Sequence, residues 1–150
     1  MPRQPKIVVL AGLPGSGKST WLRNRKLPAL SSDAMRVLLS GDVTNQKIHG
    51  KVFAALRYLL RERIKLRCPL TYVDATHLTP KERKPYLDIG KKYGCRVEAL
   101  LFDTPLEECL RRNRTRERVV PDCAIQRMAA KLVKPSKKEG FSKVVVVTFP

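Results

Sequence analysis

Long apolar runs are missing from this chain. No stretch approaches the roughly 20 residues that a membrane-crossing helix needs, so no membrane association is expected. Metal-ligand patterns are missing as well. His49 and His77 are the only imidazoles, and Cys68, Cys95, Cys109 and Cys123 are scattered without a C-x-x-C pair. That spacing argues against structural zinc. The thiols read instead as reduced, mostly buried groups of a cytoplasmic protein. Aromatic residues make up only 6% of the chain, too few for an evident base-stacking platform. Met1-Pro2-Arg3-Gln4-Pro5-Lys6 leads straight into a strand pattern and lacks the apolar core of a signal peptide. Acid is scarce beside base. Thirteen Asp and Glu face 31 Lys and Arg, a net charge of +18. A field of that size suits a polyanionic partner such as nucleic acid and exceeds what a small-metabolite enzyme needs. A solvated basic surface is the plainer alternative.

What is present is an alternating chain. Its 150 residues, 43% of them hydrophobic, suffice for one domain over 1–150 with a sizeable core. Short apolar runs predict strands at Lys6–Ala11, Ala29–Ser31, Leu70–Asp74, Arg96–Phe102 and Lys143–Thr148, all but the second rich in β-branched residues. Between them, helices are expected at 18–25, 33–40, about 46–67, 80–93, 105–113 and 121–133. The pairs Thr79-Pro80 and Thr104-Pro105 look like helix caps followed by a first-turn proline. No repeat, linker or low-complexity stretch interrupts the alternation. Strand–helix alternation of this kind predicts a parallel sheet flanked by helices.

The first strand runs into Gly12-Leu13-Pro14-Gly15-Ser16-Gly17-Lys18-Ser19, which fits G-x-x-x-x-G-K-[ST] in a strand–loop–helix setting. Glycines let consecutive backbone N–H groups close around phosphate oxygens, and the following helix N-terminus adds partial positive charge. Gly12, Pro14, Gly15, Ser16, Gly17, Lys18, Ser19 and Thr20 are therefore the candidate nucleotide contacts. Lys18 reaches the β- and γ-phosphates, and Ser19 offers a hydroxyl to Mg²⁺. The expected fold is α/β, an adenylate-kinase-like P-loop kinase. It has three layers, α/β/α, around a parallel five-stranded sheet, with an arginine-rich lid at about 112–122.

A phosphate loop does not identify an acceptor, which must be read from the neighbouring strand ends. Asp33 follows the second strand, and a carboxylate there can take a proton from an attacking hydroxyl. Arg36, one helical turn on, suits a phosphate on the acceptor. Capping of the helix by Ser32 or Asp33 is the competing reading. Asp74 ends the third strand as a Walker-B acid does and can hold Mg²⁺ through a water. Thr76 lies close enough to touch an acceptor. His77 beside it reads as an ordinary loop histidine, with a pH-sensitive contact as the alternative. Arg111-Arg112-Asn113-Arg114-Thr115-Arg116-Glu117-Arg118 sets five arginines against one acid where small P-loop kinases carry a lid. Arg112 and Arg116, four apart, would share a helical face and neutralise the transferred phosphoryl group. Lys81, Arg83, Lys84, Lys91 and Lys92 read as exposed helix faces. Trp21 reads as core or as a nucleotide-side contact.

The chain resembles the 5′-hydroxyl polynucleotide kinase family in its bacterial and phage RNA-repair forms. The resemblance rests on Pro14 through Trp21, Ser32-Asp33-Ala34-Met35-Arg36, Val73-Asp74-Ala75-Thr76, Arg83-Lys84-Pro85, Phe102-Asp103-Thr104-Pro105, Arg112-Asn113 and Val120-Pro121, in family order. It implies transfer of the γ-phosphate of ATP, with Mg²⁺, to a 5′-OH end of RNA or DNA. Asp33 would be the general base and Arg36 the contact to the acceptor's 3′-phosphate. Lys18 and Ser19 would hold phosphate and Mg²⁺, Arg112 and Arg116 would clasp the donor, and Thr76 and Val120 would line the acceptor pocket. His77 stands where the family often has Asn. The lid is shorter here, so Arg114 competes with Arg116 as the second lid arginine. Association with end-healing or ligase modules is also implied. A sugar or nucleoside kinase on the same scaffold is the runner-up, and a non-catalytic nucleic-acid-binding module is a third reading.

Overall fold

The computed structural model describes residues 4–148. Five strands, β1 (Lys6–Ala11), β2 (Ala29–Ser31), β3 (Leu70–Asp74), β4 (Arg96–Phe102) and β5 (Lys143–Val147), form one sheet in the order β2-β3-β1-β4-β5. All four pairings are parallel. Six helices connect them: α1 (Lys18–Asn24), α2 (Ser32–Ser40), α3 (His49–Lys65), α4 (Pro80–Tyr93), α5 (Leu106–Asn113) and α6 (Asp122–Lys131). This is the expected P-loop kinase-like α/β fold. None of the helices is long and apolar enough to cross a membrane among the described residues.

The core explains the strand order. β1 is apolar on both faces and lies at the centre, flanked by β3 and β4. Ile7 and Val9 face a cluster completed by Leu60 and Ile64 of α3, Tyr86 and Ile89 of α4, and Val73, Val97 and Ala99 of the sheet. Val8 and Leu10 face the other way, toward Leu22, Leu100 and Phe102. Trp21 belongs to this second cluster, its ring edge-on to Tyr72 and Phe102 at 5.9 Å each. Of its two expected roles the core one fits. Arg25 lies over the same ring, 4.3 Å from its centroid. A third cluster, Leu13, Leu78, Cys109 and Ile125, joins the loop after β1 to α5 and α6.

Several local expectations need correction. Thr79 caps α4 through a reciprocal capping box with Glu82, as its sequence suggests. Thr104 does not cap α5; its hydroxyl donates to the carbonyl of Ser16 at 2.8 Å and ties the β4–α5 turn to the loop after β1. Neither Ser32 nor Asp33 caps α2. Ser31 does, accepting from the Ala34 N–H at 3.2 Å, which leaves the Asp33 carboxylate free for other work. Arg83 is fully buried and not on an exposed face: it makes a two-pronged pair with Glu139 at 2.9 and 3.0 Å and donates to the His77 carbonyl at 2.7 Å. Burying a guanidinium is tolerable only because its donors are matched in this way. Of the thiols, Cys95 and Cys109 are buried, Cys68 is partly covered and Cys123 is exposed.

Candidate active site

Parallel pairing puts the C-terminal ends of all five strands at one edge, where chemistry collects in open α/β sheets. Leu10 of β1 pairs with Asp74 of β3, and Ser31 of β2 pairs with the same Asp74. The loop after β1, the start of α2 and the turn after β3 therefore meet.

The loop from Gly12 to Ser19 is bare backbone by necessity. A Cβ at Gly12 would stand 2.7 Å from the Ser16 Oγ, and one at Gly15 would stand 2.6 Å from the Cys109 carbonyl oxygen, with Gly15 already at φ +81°. Larger residues would push the loop off α5. Lys18 is buried, and its Nζ donates to the carbonyls of Gly12 at 2.8 Å and Leu13 at 3.0 Å. Burial lowers its pKa to about 8, partly opposed by the nearby Asp74 carboxylate. The Ser19 hydroxyl is 3.4 Å from Asp74 Oδ2. Burial raises the Asp74 pKa, with Lys18 acting in the opposite direction. A hydroxyl and a carboxylate this close are an oxygen pair of the kind that Mg²⁺ accepts; Ser19 could bind such an ion directly and Asp74 through a water. Pro14 and Ser16 are buried in the same loop, whereas Thr20 is exposed on the first turn of α1.

On the acceptor side, Arg36 is only 4% exposed. Its Nη1 donates to the Asn45 carbonyl at 2.9 Å, and its Nε is buried without a partner. Asp33 meets Arg118 of the α5–α6 connection, with Nη1 to Oδ1 at 2.5 Å. Thr76 contributes its carbonyl, which accepts from the Gly12 N–H at 3.0 Å and links the β3 turn to the phosphate loop.

The α5–α6 connection is clamped by Asn113, which donates to the Val120 carbonyl at 2.5 Å and accepts from the Val120 N–H at 3.0 Å. Val120 packs against the third core cluster. α5 ends at Asn113, so Arg112 and Arg116 do not share a helical face as their spacing suggested; Arg116 lies in the turns beyond. Arg112 is held by Glu108 at 2.9 Å. Arg114 points outward to Asp122 at 3.0 Å. Arg116 differs from both. Its Nη1 is buried without a partner, and its charge bears on Lys18 and Asp74. Between the two competing arginines, Arg116 is the one beside the phosphate loop.

Arg118, Arg83 and His77 carry more weight than the sequence reading assigned to them. His77 is the clearest case. It is 2% exposed at φ +44°, and its Nδ1 lies 2.5 Å from the Leu10 carbonyl at the base of the loop. A neutral ring with the proton on Nδ1 donates that bond. Burial lowers the His77 pKa to about 4 from its ordinary 6.5. The unfolded chain therefore binds a proton that the folded one refuses. The contribution of His77 to stability is fully present above pH 6.5 and is lost, by about 3 kcal/mol, as pH drops from 6.5 toward 4. In denaturant titrations at pH 7 and pH 4.5, His77→Asn should show a visibly smaller pH-dependent loss than the wild type. Equal losses in both proteins would contradict this account.

In sequence and fold the chain is similar to known proteins. A family model described as an AAA domain, AAA_33, matches residues 7–135. The L-seryl-tRNA(Sec) kinase of Methanococcus maripaludis is 23% identical over 142 residues, covering 90% of this chain and 55% of that protein. A chain in the structure of the Pnkp1/Rnl/Hen1 RNA repair complex superposes with a TM-score of 0.73 at 22% identity, covering 88% of this chain and 45% of the other. A sugar kinase from Janibacter sp. HTCC2649 superposes with a TM-score of 0.67 at 19% identity, covering 97% and 86%. The chain thus spans about half the length of the curated relative and of the RNA-repair chain. It belongs to the AAA_33 family of AAA domains and carries the P-loop kinase-like fold.

Proposed function

We propose that this domain is a polynucleotide 5′-hydroxyl kinase, transferring the γ-phosphoryl group of ATP to the 5′-OH end of RNA or DNA. The observation that carries the reading is Arg36. A guanidinium 4% exposed, with one nitrogen buried and unpartnered, sits one turn after a carboxylate at the edge facing the phosphate loop. Such a group favours an anionic acceptor, because a phosphate restores the hydrogen bonds that burial removed. The net charge of +18 favours a polyanion over a small acid. Both the tRNA-directed relative and the RNA-repair neighbour are named for work on RNA. Fusion or association with end-healing or ligase modules fits the same reading.

The residues divide the work. The backbone N–H groups of the loop from Gly12 to Thr20 bind the donor phosphates, with Pro14, which has none, shaping the loop, and Lys18 swings from the loop carbonyls to the β- and γ-oxygens. Ser19 and Asp74 fit Mg²⁺, which when bound supplies charge neutralisation of the phosphate oxygens. Asp33 accepts the proton of the attacking hydroxyl as the new P–O bond forms. Arg36 holds the acceptor phosphate 3′ to the reacting nucleoside, and Thr76 and Val120 border that nucleoside. Arg112, from the last turn of α5, and Arg116, from the α5–α6 connection, approach the transferred group as a lid and exclude water. Arg116 takes the second lid position, with Arg114 left outside.

The second reading is a small-metabolite kinase acting on a sugar or nucleoside. It is favoured by the sugar kinase comparison, which covers most of both chains. An acceptor panel separates the two: 5′-OH RNA and DNA oligonucleotides, a mononucleoside and gluconate, each with ATP and GTP, scored for labelled product. Labelled oligonucleotides with a poorly used mononucleoside support the first reading. Product from gluconate or the mononucleoside alone supports the second. Arg36→Ala should raise the KM for an oligonucleotide by about 10- to 100-fold, the value of a lost charged hydrogen-bond pair. It should leave the KM for ATP within about twofold. Equal losses on both substrates would remove Arg36 from the acceptor site.

A further inference from the structure

Asp33 and Arg118 are 85 positions apart, yet the Arg118 guanidinium is the only hydrogen-bond partner of the Asp33 carboxylate among the described residues. The bond is one-pronged, Nη1 to Oδ1 at 2.5 Å, and Oδ2 is not engaged by it. Ser31 already caps α2, so the helix makes no claim on this carboxylate. The Asp33 side chain is 45% exposed and that of Arg118 is 25% exposed, so the pair borders the open acceptor side and is not sealed in the core. Arg118 stands two residues before Val120, whose backbone N–H and carbonyl are both gripped by the buried Asn113 side chain. Its backbone is therefore anchored, and its reach to Asp33 is set by the connection that also carries Arg116.

We propose that Arg118 is a positioning residue for the base: it holds Oδ1 of Asp33 so that Oδ2 faces the acceptor hydroxyl. This rests on the reading of Asp33 as general base, though not on the acceptor being a polynucleotide. A carboxylate on a surface helix turns freely about χ1 and χ2, and a base must be within hydrogen-bond reach of the proton it takes. One fixed oxygen removes most of that freedom. The second consequence is coupling. The segment that brings Arg116 to the phosphate loop also sets the rotamer of the base, so donor-side charge and acceptor-side base are assembled by one piece of chain. A competing role for the same contact is a latch that blocks Asp33 until substrate arrives, and it predicts the opposite sign on rate.

A double-mutant cycle decides between them. The turnover number is measured for wild type, Arg118→Met, Arg118→Lys, Asp33→Asn and the Asp33→Asn/Arg118→Met pair, at saturating ATP and the acceptor that wild type labels best. Thermal melts confirm that each variant is folded. Arg118→Met should lower kcat by about 10- to 30-fold with the KM for ATP within about twofold, and Arg118→Lys should recover part of the loss. On top of Asp33→Asn, Arg118→Met should change kcat by less than about twofold, because a residue acting through Asp33 has nothing left to position. A merely structural contact would instead multiply its loss onto Asp33→Asn, which overturns the proposal, as does any rise in kcat for Arg118→Met. Wild type that labels another alcohol but no oligonucleotide would sink the polynucleotide reading alone, and the cycle run on that alcohol still decides Arg118. Label in no acceptor would overturn both.

Discussion

Lys18→Met is expected to reduce phosphoryl transfer by about three orders of magnitude, roughly 4 kcal/mol of barrier, while the protein remains folded. The loss follows from position. Lys18 is the buried cation of the loop, and its Nζ is parked on the Gly12 and Leu13 carbonyls, from which it can move to phosphate oxygens without entering bulk water. A preorganised charge in a desolvated site stabilises the developing negative charge far more than a solvated one. Stability should move in the other direction. With its pKa lowered to about 8 from 10.5, the charged form of Lys18 is disfavoured in the folded protein. Below pH 8 that burial costs about 3 kcal/mol, and the cost diminishes as pH rises from 8 to 10.5, where the unfolded chain carries the extra proton. Lys18→Met should therefore melt at or above the wild-type temperature at pH 7. Single-turnover transfer and a thermal melt on the same preparation check both halves. A variant that lost activity by unfolding, or kept it within about tenfold, would contradict the assignment.

Asp33→Ala should be nearly as damaging to turnover and nearly silent for nucleotide binding. General base catalysis contributes about 10²- to 10⁴-fold, and that is the expected drop in kcat. Asp33 sits in the first turn of α2, outside the phosphate loop, so calorimetric affinity for a non-hydrolysable ATP analogue should stay within about threefold. Helix stability should also change little, because Ser31 and not Asp33 supplies the cap. Near-wild-type phosphorylation by Asp33→Ala would show that this carboxylate takes no proton, leaving Arg36, Thr76 and Val120 as the acceptor-side contacts.

How far the sequence could be read depended on the range of the interactions involved. β1 to β4 fall where short apolar runs predict them, and the phosphate loop is legible because its chemistry is contiguous: glycines, lysine and serine act through neighbouring backbone. Thr79 and Glu82 cap α4 within one turn, so their pattern also reads correctly. α3 is shorter than its apolar periodicity suggests, spanning His49–Lys65, because the end residues Arg67 and Cys68 bend back onto the helix C-terminus. Thr104-Pro105 looks like a cap by the same local pattern, yet Thr104 is taken by the Ser16 carbonyl, 88 positions away.

The acceptor side shows the limit most clearly. Asp33 and Arg36 can be nominated from one helical turn, but their partners come from elsewhere in the chain. Asp33 meets Arg118, and Arg36 meets the Asn45 carbonyl. Arg114 and Arg116 are chemically identical in sequence and two positions apart. Only the Asn113–Val120 clamp and the pull of Asp122 turn one outward and the other toward Lys18. Arg83 and His77 read as surface residues because lysine-rich helices and polar loops usually are. Glu139 and the C-terminal end of β1 bury them, and no local pattern announces a partner 56 or 67 residues distant. By itself the sequence determined the strand–helix alternation, the phosphate loop and the sign of the electrostatic field, since these depend on neighbouring side chains and on composition. Sheet order, the orientation of each arginine and the pairing of the base were decided only in the tertiary structure. They depend on which distant groups share the cost of desolvation, and that is settled when the chain closes on itself.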